Sequence, residues 1–249
     1  MADDIIPGLI EVQTKVREFF GWEYQSDLLS ANLMAELFNS ANPLGVEMWS
    51  PQNRLSQFDW LKQKLLAAPR VVVVGASVSD DDFVGFDFEN SVVIAADGSI
   101  GGVAGLANVV CIVTDFDGNP HLDKAAESGA VFIAHAHGDN ISQWQECLEK
   151  WRILQNPPPL ILSHQVNEAI DGMYNYGGFT DGDRAVCLAI GLGVPAEKIS
   201  LIGFSTTKIG KWSGQTNPEK KLDKLAWMLQ VLQIIGLEEQ VDSNVYEGI

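Results

Sequence analysis

The chain has 249 residues, 46% of them hydrophobic, which is enough for one α/β domain with an extension or for two small domains and excludes a disordered chain. A formal net charge of −17 and a pI near 4.4 argue against a nucleic-acid partner, because no basic stripe on the scale of a duplex offsets them. A small phosphorylated ligand stays compatible, since a divalent metal or a helix N-terminus reverses the field locally.

The chain starts Met1-Ala2-Asp3-Asp4, acidic where a secretory signal carries positive charge. The longest apolar stretches, 71–74 and 225–237, are short or interrupted against the roughly 18 residues that span a bilayer. A cytoplasmic protein without membrane contact is expected. Leu9, Val12, Val16, Phe19 and Phe20 recur at helical spacing, as do Leu28, Leu29, Leu33, Met34 and Leu37. A third helix is predicted over 53–67, after an Asn-, Pro- and Gly-rich loop at 39–51, so residues 1–68 read as a helical N-terminal unit.

From residue 70 the pattern changes to short β-branched runs alternating with helical segments. Strands are predicted at 71–74, 92–95, 109–113, 131–134, 160–162 and 199–202, and helices at 122–128, 141–154, 181–192 and 218–235. The expected fold is α/β: a doubly wound, mostly parallel sheet with crossover helices over 69–249, with its ligand crevice at the carboxyl ends of the strands. Cys111, Cys147 and Cys187 lie in apolar surroundings and form neither a disulfide framework nor a CxxC zinc signature.

Polar clusters follow the first four strands: Gly75-Ala76-Ser77, Ala96-Asp97-Gly98, Thr114-Asp115-Phe116-Asp117-Gly118 and His135-Ala136-His137-Gly138-Asp139-Asn140. They converge on one rim, the expected active site. Asp115 and Asp117, one residue apart, can serve one hard cation, and magnesium favours few carboxylates plus phosphate oxygens. The bland alternative is a turn at 117–120 capped by Asp115. The same Asp-x-Asp-Gly run also reads as the nucleophile motif of haloacid-dehalogenase-type phosphatases, with Asp115 phosphorylated, although it stands on the third strand rather than the first. His135-x-His137-x-Asp139 has the spacing of a zinc hydrolase motif but lacks the further histidine after Asp139.

In Gly177-Gly178-Phe179-Thr180-Asp181-Gly182-Asp183-Arg184, Thr180 and Asp183 have capping-box spacing, the glycines allow close backbone approach, and Arg184 adds a forked cation. That is a phosphate site at a helix N-terminus, or else an ordinary cap. Neither a dinucleotide fingerprint nor a P-loop exists: Gly191-x-Gly193 stands between a helix and a strand, and Gly210-Lys211 is followed by Trp212. Five of the 16 Lys and Arg residues fall between 208 and 224. Lys208 and Lys211, in a Gly- and Ser-containing loop, are expected to close over a triphosphate, whereas Lys220, Lys221 and Lys224 read as solvating the last helix.

Taken in series, the clusters around Asp97, Asp115, His137 and Gly178 resemble the archaeal 6-hydroxymethyl-7,8-dihydropterin pyrophosphokinase family, over about residues 71–235. That family is similar in fold to thiamin pyrophosphokinases. The resemblance implies transfer of a diphosphate group from ATP, with magnesium, to the pterin hydroxymethyl oxygen, releasing AMP, in folate biosynthesis. By position it implies Asp115 and Asp117 as magnesium ligands, with Asp97 and Asp139 as further ligands or as acceptors of the substrate proton. With Arg184, Asp97 and Asp139 form the catalytic set. Gly75, Gly98, Gly177, Gly178, Thr180, Asp181, Lys208 and Lys211 form the nucleotide-binding set. The pterin is expected against Phe116, Phe179 or Trp212. The chain departs from the family pattern in the acidic run at 80–82 and in Gly203-Phe204-Ser205 after the last strand. Its partners are then ATP and a hydroxymethyl pterin, with homo-oligomerisation left open. The rival of a different class is a non-catalytic nucleotide-binding protein on the same fold.

Overall fold

The structure is a computed structural model that describes residues 2–243, apart from 85, 87, 106, 107, 215 and 216, with no side-chain description at 2 and 3. Three helices come first: α1 (Ala2–Phe20), α2 (Tyr24–Phe38) and α3 (Pro51–Ala67). Ser50 caps α3 by accepting from the Asn53 amide, with Pro51 at the first helical position, and the helix stops before Pro69. The loop between α2 and α3 holds two 3₁₀ turns and buries Trp49, whose indole N–H donates to the Pro158 carbonyl at 2.7 Å.

The α/β part follows as β1 (Arg70–Val74), β2 (Ser91–Ala96), α4 (Ile100–Val103), β3 (Val109–Thr114), α5 (His121–Glu127), β4 (Phe132–Ala136), α6 (Ile141–Trp151), β5 (Leu160–His164), β6 (Met173–Tyr174), α7 (Asp181–Gly191), β7 (Ile199–Ile202) and α8 (Pro218–Ile235). The seven strands form one parallel sheet in the order β6-β5-β4-β3-β2-β1-β7. All six predicted strands are present. The two elements that the sequence does not announce, β6 and α4, are two and four residues long, too short for a period to show.

The strands are apolar without alternation because both faces of the sheet are covered. One face carries α1, α3, α7 and α8, through Leu9, Leu61, Val186 and Leu232. The other carries α2, α4, α5 and α6, through Met34, Val103, Leu122 and Trp144. Each fully buried Val, Ile or Leu here contributes about 1.5–3 kcal/mol relative to exposure. The first three helices therefore share both cores with the sheet. Among the described residues no helix is long and apolar enough to cross a membrane. Because all seven strands are parallel, their C-termini open on a single rim.

Candidate active site

At the ends of β2 and β3, carboxylate oxygens of Asp97, Asp115 and Asp117 lie within 4.8 Å of one another. The backbone brings them together at some strain: Asp97 has φ +46° and Phe116 φ +77°, both in the left-handed region that non-glycine residues avoid. At Phe116 the twist turns the ring into the core against Trp151 and lets the amide donate to Thr114 Oγ1 at 2.8 Å, which leaves the two flanking aspartates on the rim. Gly118 is required by proximity, since a Cβ there would collide with the Asp97 carboxylate.

The three carboxylates lie close enough to act on one another's charge. Burial, then the charges of Asp181, Asp115 and Asp117, hold Asp97 well above the usual carboxylate range; it accepts from Thr114 Oγ1 at 2.5 Å. Burial and the Asp115 charge raise Asp117 as well. Burial pushes Asp115 up too, but the His137 hydrogen bond and charge outweigh it and hold this carboxyl below its ordinary value. His137 bridges two acids, Nε2 to Asp115 at 3.2 Å and Nδ1 to Asp139 at 2.9 Å, and against its burial these bonds raise the imidazole to about 9. Asn140, buried, donates to the Asp115 and His135 carbonyls and locks the β3 loop to the β4 loop.

Above the cluster lies a cavity of about 410 Å³. Its lining includes Asp97, Asp115, Asp117, Asp139, Thr180, Asp181, Arg184, Gly75, Lys208, Phe179 and Trp212, all named from the sequence. The capping box forms as expected, Thr180 N donating to Asp183 Oδ1 at 2.7 Å. Burial and the Asp115 charge push Asp181 up to about 7, in spite of Arg184 Nη1 at 3.2 Å. Arg184 also donates to Gln165 Oε1 at 2.8 Å. From Gln165 a buried network runs on through Asp27, which accepts from Gln165 Nε2 at 2.9 Å, to Arg17 at 3.3 Å on α1.

Phe116, Gly98, Gly177, Gly178 and Lys211, all singled out in the sequence, are not part of the cavity lining. Phe116 is core rather than a ring-stacking surface. A Cβ on Gly177 would meet Leu9 at 2.5 Å, and one on Gly178 the Arg184 backbone at 2.8 Å, so these glycines let α1 and α7 close on the turn. Gly98 is glycine for the same reason, since a Cβ there would meet the Trp212 carbonyl oxygen at 2.5 Å. Lys211 is exposed and lies over the Trp212 ring at 4.6 Å, while its neighbour Lys208 both lines the cavity and pairs with Asp242 at 3.1 Å.

Other lining residues escape the sequence reading. Lys221 and Lys224, read from the sequence as solvating the last helix, instead line the cavity together with Leu225 and Met228, at the i, i+3, i+4, i+7 spacing of one helical face. That stripe, mixing two lysines with two apolar residues, is visible in the sequence. His137 belongs to the His-x-His-x-Asp run, whose spacing alone gives it no role. Trp22 and Glu23, from the α1–α2 connection, and Ser26 and Asp27, from the first turn of α2, also line the cavity, and no local pattern announces them.

No family model matches the chain. It is similar to three proteins named 6-hydroxymethyl-7,8-dihydropterin pyrophosphokinase. That of Pyrococcus furiosus is 38% identical over 156 residues, covering 59% of this chain and 63% of the relative. That of Methanothermobacter thermautotrophicus is 36% identical over 121 residues, covering 45% and 48%. That of Methanocaldococcus jannaschii is 26% identical over 185 residues, covering 70% of each. The likeness read from the motifs is thus borne out by extended alignment. The matched stretch spans under two thirds of the length of the first relative and about half of the second.

Proposed function

We propose that this chain transfers a diphosphate group from magnesium-ATP to the hydroxymethyl oxygen of 6-hydroxymethyl-7,8-dihydropterin and releases AMP. The observation that carries this reading is the cluster of Asp97, Asp115 and Asp117 at the foot of a cavity that also holds Arg184, Lys208, Lys221 and Lys224. The donor set suits magnesium: three oxygens within 4.8 Å, with Asp115 Oδ1 sealed and without a hydrogen-bond partner. Bound there, magnesium supplies charge neutralisation to the phosphate oxygens. The relatives' names support the same acceptor and the same transferred group.

The chain's own groups position and neutralise. Arg184, steered by Gln165 and Asp181, offers a fixed guanidinium, and the N-terminus of α7 with Gly182 on the cavity wall favours a phosphate. Asp139 is the better acceptor for the hydroxymethyl proton: its side chain is 93% exposed and the His137 hydrogen bond keeps it ionised. Asp97, by contrast, is buried within the cluster and is less accessible to the hydroxymethyl group. The phosphatase reading is disfavoured because the Asp-x-Asp-Gly run ends β3 rather than the first strand, and because the relatives are named pyrophosphokinases. The test is to incubate the chain with ATP, magnesium and a panel of hydroxymethyl pterins and thiamin, then separate nucleotides. AMP formed one-for-one with pterin diphosphate supports the proposal. ADP, free phosphate or thiamin diphosphate as the product refutes it.

A further inference from the structure

The cavity has two unlike ends, divided by the carboxylates. The end over β1 and β7 is bounded by turn backbone, Gly75–Ser77 and Gly203–Ser205, and by Lys208. The end over β4 and β5 is bounded by the α1–α2 connection, and its wall is aromatic: Trp22 and Phe179 have ring centroids 5.9 Å apart, with Phe20 stacked behind both at 4.7 and 6.1 Å. Lys224 Nζ lies 5.5 Å from the Trp22 ring and 5.8 Å from that of Phe179.

Glu23 stands beside Trp22 on this wall. It occupies the N-cap position of α2, yet its side chain makes no cap hydrogen bond. A Ser or Asp there would gain about 1 kcal/mol of helix stability. Among the described residues the Glu23 carboxylate has no hydrogen-bond or ion-pair partner, unlike Asp27 four residues on, which accepts from Gly138 N, Gln165 and Arg17. The connection is also held in place from outside the cavity: the Tyr24 hydroxyl donates to Glu168 and accepts from Asn167 N. A pinned aromatic wall with a free carboxylate at its edge is a preorganised receptor for a flat, electron-poor ring that offers adjacent N–H donors.

We propose that Trp22 and Glu23 form the acceptor-reading subsite: Trp22 stacks the bicyclic ring, and Glu23 accepts from the ring N–H and the exocyclic amino group of a 2-amino-4-oxopyrimidine edge. The substrate class rests on the diphosphotransferase reading above, but the subsite can be tested without turnover. Calorimetry with 6-hydroxymethylpterin, without ATP, should show tenfold or weaker affinity in Trp22→Ala and in Glu23→Gln than in the parent. An analogue lacking the 2-amino group should bind parent and Glu23→Gln alike. Equal pterin affinity in parent and both variants overturns the assignment. In turnover, both variants should raise the KM for the pterin about tenfold and leave the KM for ATP within twofold. A matching rise for ATP instead would put the adenine on this wall and refute the proposal. Pterin binding that needs Trp22 and Glu23, with no AMP formed by the parent, would keep the subsite and remove the reaction.

Discussion

Asp181 offers a quantitative check on the electrostatics of the rim. Burial first, and the Asp115 charge second, raise it from 3.8 to about 7, with the attraction of Arg184 already opposing them. A carboxyl whose folded value is raised favours the folded state below its unfolded value and loses that support as pH climbs through the folded one. The window is therefore about pH 4 to 7, and above it the ionised Asp181 destabilises the metal-free fold. A shift of this size corresponds to about 4 kcal/mol at 1.36 kcal/mol per pH unit, trimmed to about 2 kcal/mol by solvent screening of a partly accessible side chain. Asp181→Asn removes the charge and keeps an acceptor for Arg184. At pH 8 without divalent ions it should melt about 4–8 °C above the parent, a chain of this length moving by about 2–4 °C per kcal/mol. At pH 5 the gain should fall below half of that, and magnesium at pH 8 should narrow it by neutralising the cluster. Melting followed by circular dichroism at both pH values is sufficient. A variant no more stable than the parent at pH 8, or equally stabilised at pH 5, would refute the argument.

Three further outcomes are expected. Asp115→Asn and Asp117→Asn should each lower AMP formation a hundredfold or more, about 3 kcal/mol, with an unchanged circular dichroism spectrum, because the site needs their charge rather than their shape; near-parental rates would remove the cation site. Gly178→Val should lose about 3 kcal/mol of stability in a denaturant titration, since φ is +83° and the added Cβ meets backbone at 2.8 Å; a loss of ATP affinity at full stability would restore the phosphate-cradle reading. Burial lowers the His164 imidazole to about 4, so the fold is supported by its neutral form above pH 6.5 and loses that support as pH falls towards 4, by about 3 kcal/mol. His164→Asn, which keeps an acceptor for the Val166 amide, should therefore flatten the acid limb of the stability curve, and an unchanged limb would exclude His164 as its cause.

Strands β1 to β5 and β7 are legible because each is a run of buried β-branched or apolar residues ended by polar ones, a signal carried within a few consecutive positions. The carboxylate cluster is legible for the same reason, since strand ends in a parallel sheet share a rim wherever the chain goes next. The role of a glycine is less so: Gly177 and Gly178 announce that a Cβ is not tolerated, but only the fold shows that Leu9 and Arg184, rather than a ligand, occupy the space. Trp22 and Glu23 reach the cavity through the packing of α1 on α7 and α8, a tertiary event with no local trace.

Seven carboxylates line the cavity, those of Glu23, Asp27, Asp97, Asp115, Asp117, Asp139 and Asp181, against four permanent cations, Arg184, Lys208, Lys221 and Lys224. The His137 imidazolium and the Asp27–Arg17 pair offset part of that excess, and the whole chain stands at −17. A triphosphate approaching such a site crosses a repulsive field that three lysines screened by water offset only partly, and a divalent ion on the cluster changes the sign where the phosphates arrive. Nucleotide affinity should therefore be metal-linked rather than merely metal-assisted. ATP titrated calorimetrically in the presence of a chelator should bind at least a hundredfold more weakly than with magnesium, and Asp115→Asn should lose most of that difference. Equal ATP affinity with and without the divalent ion would mean that the lysines alone hold the triphosphate and that the carboxylates serve something else.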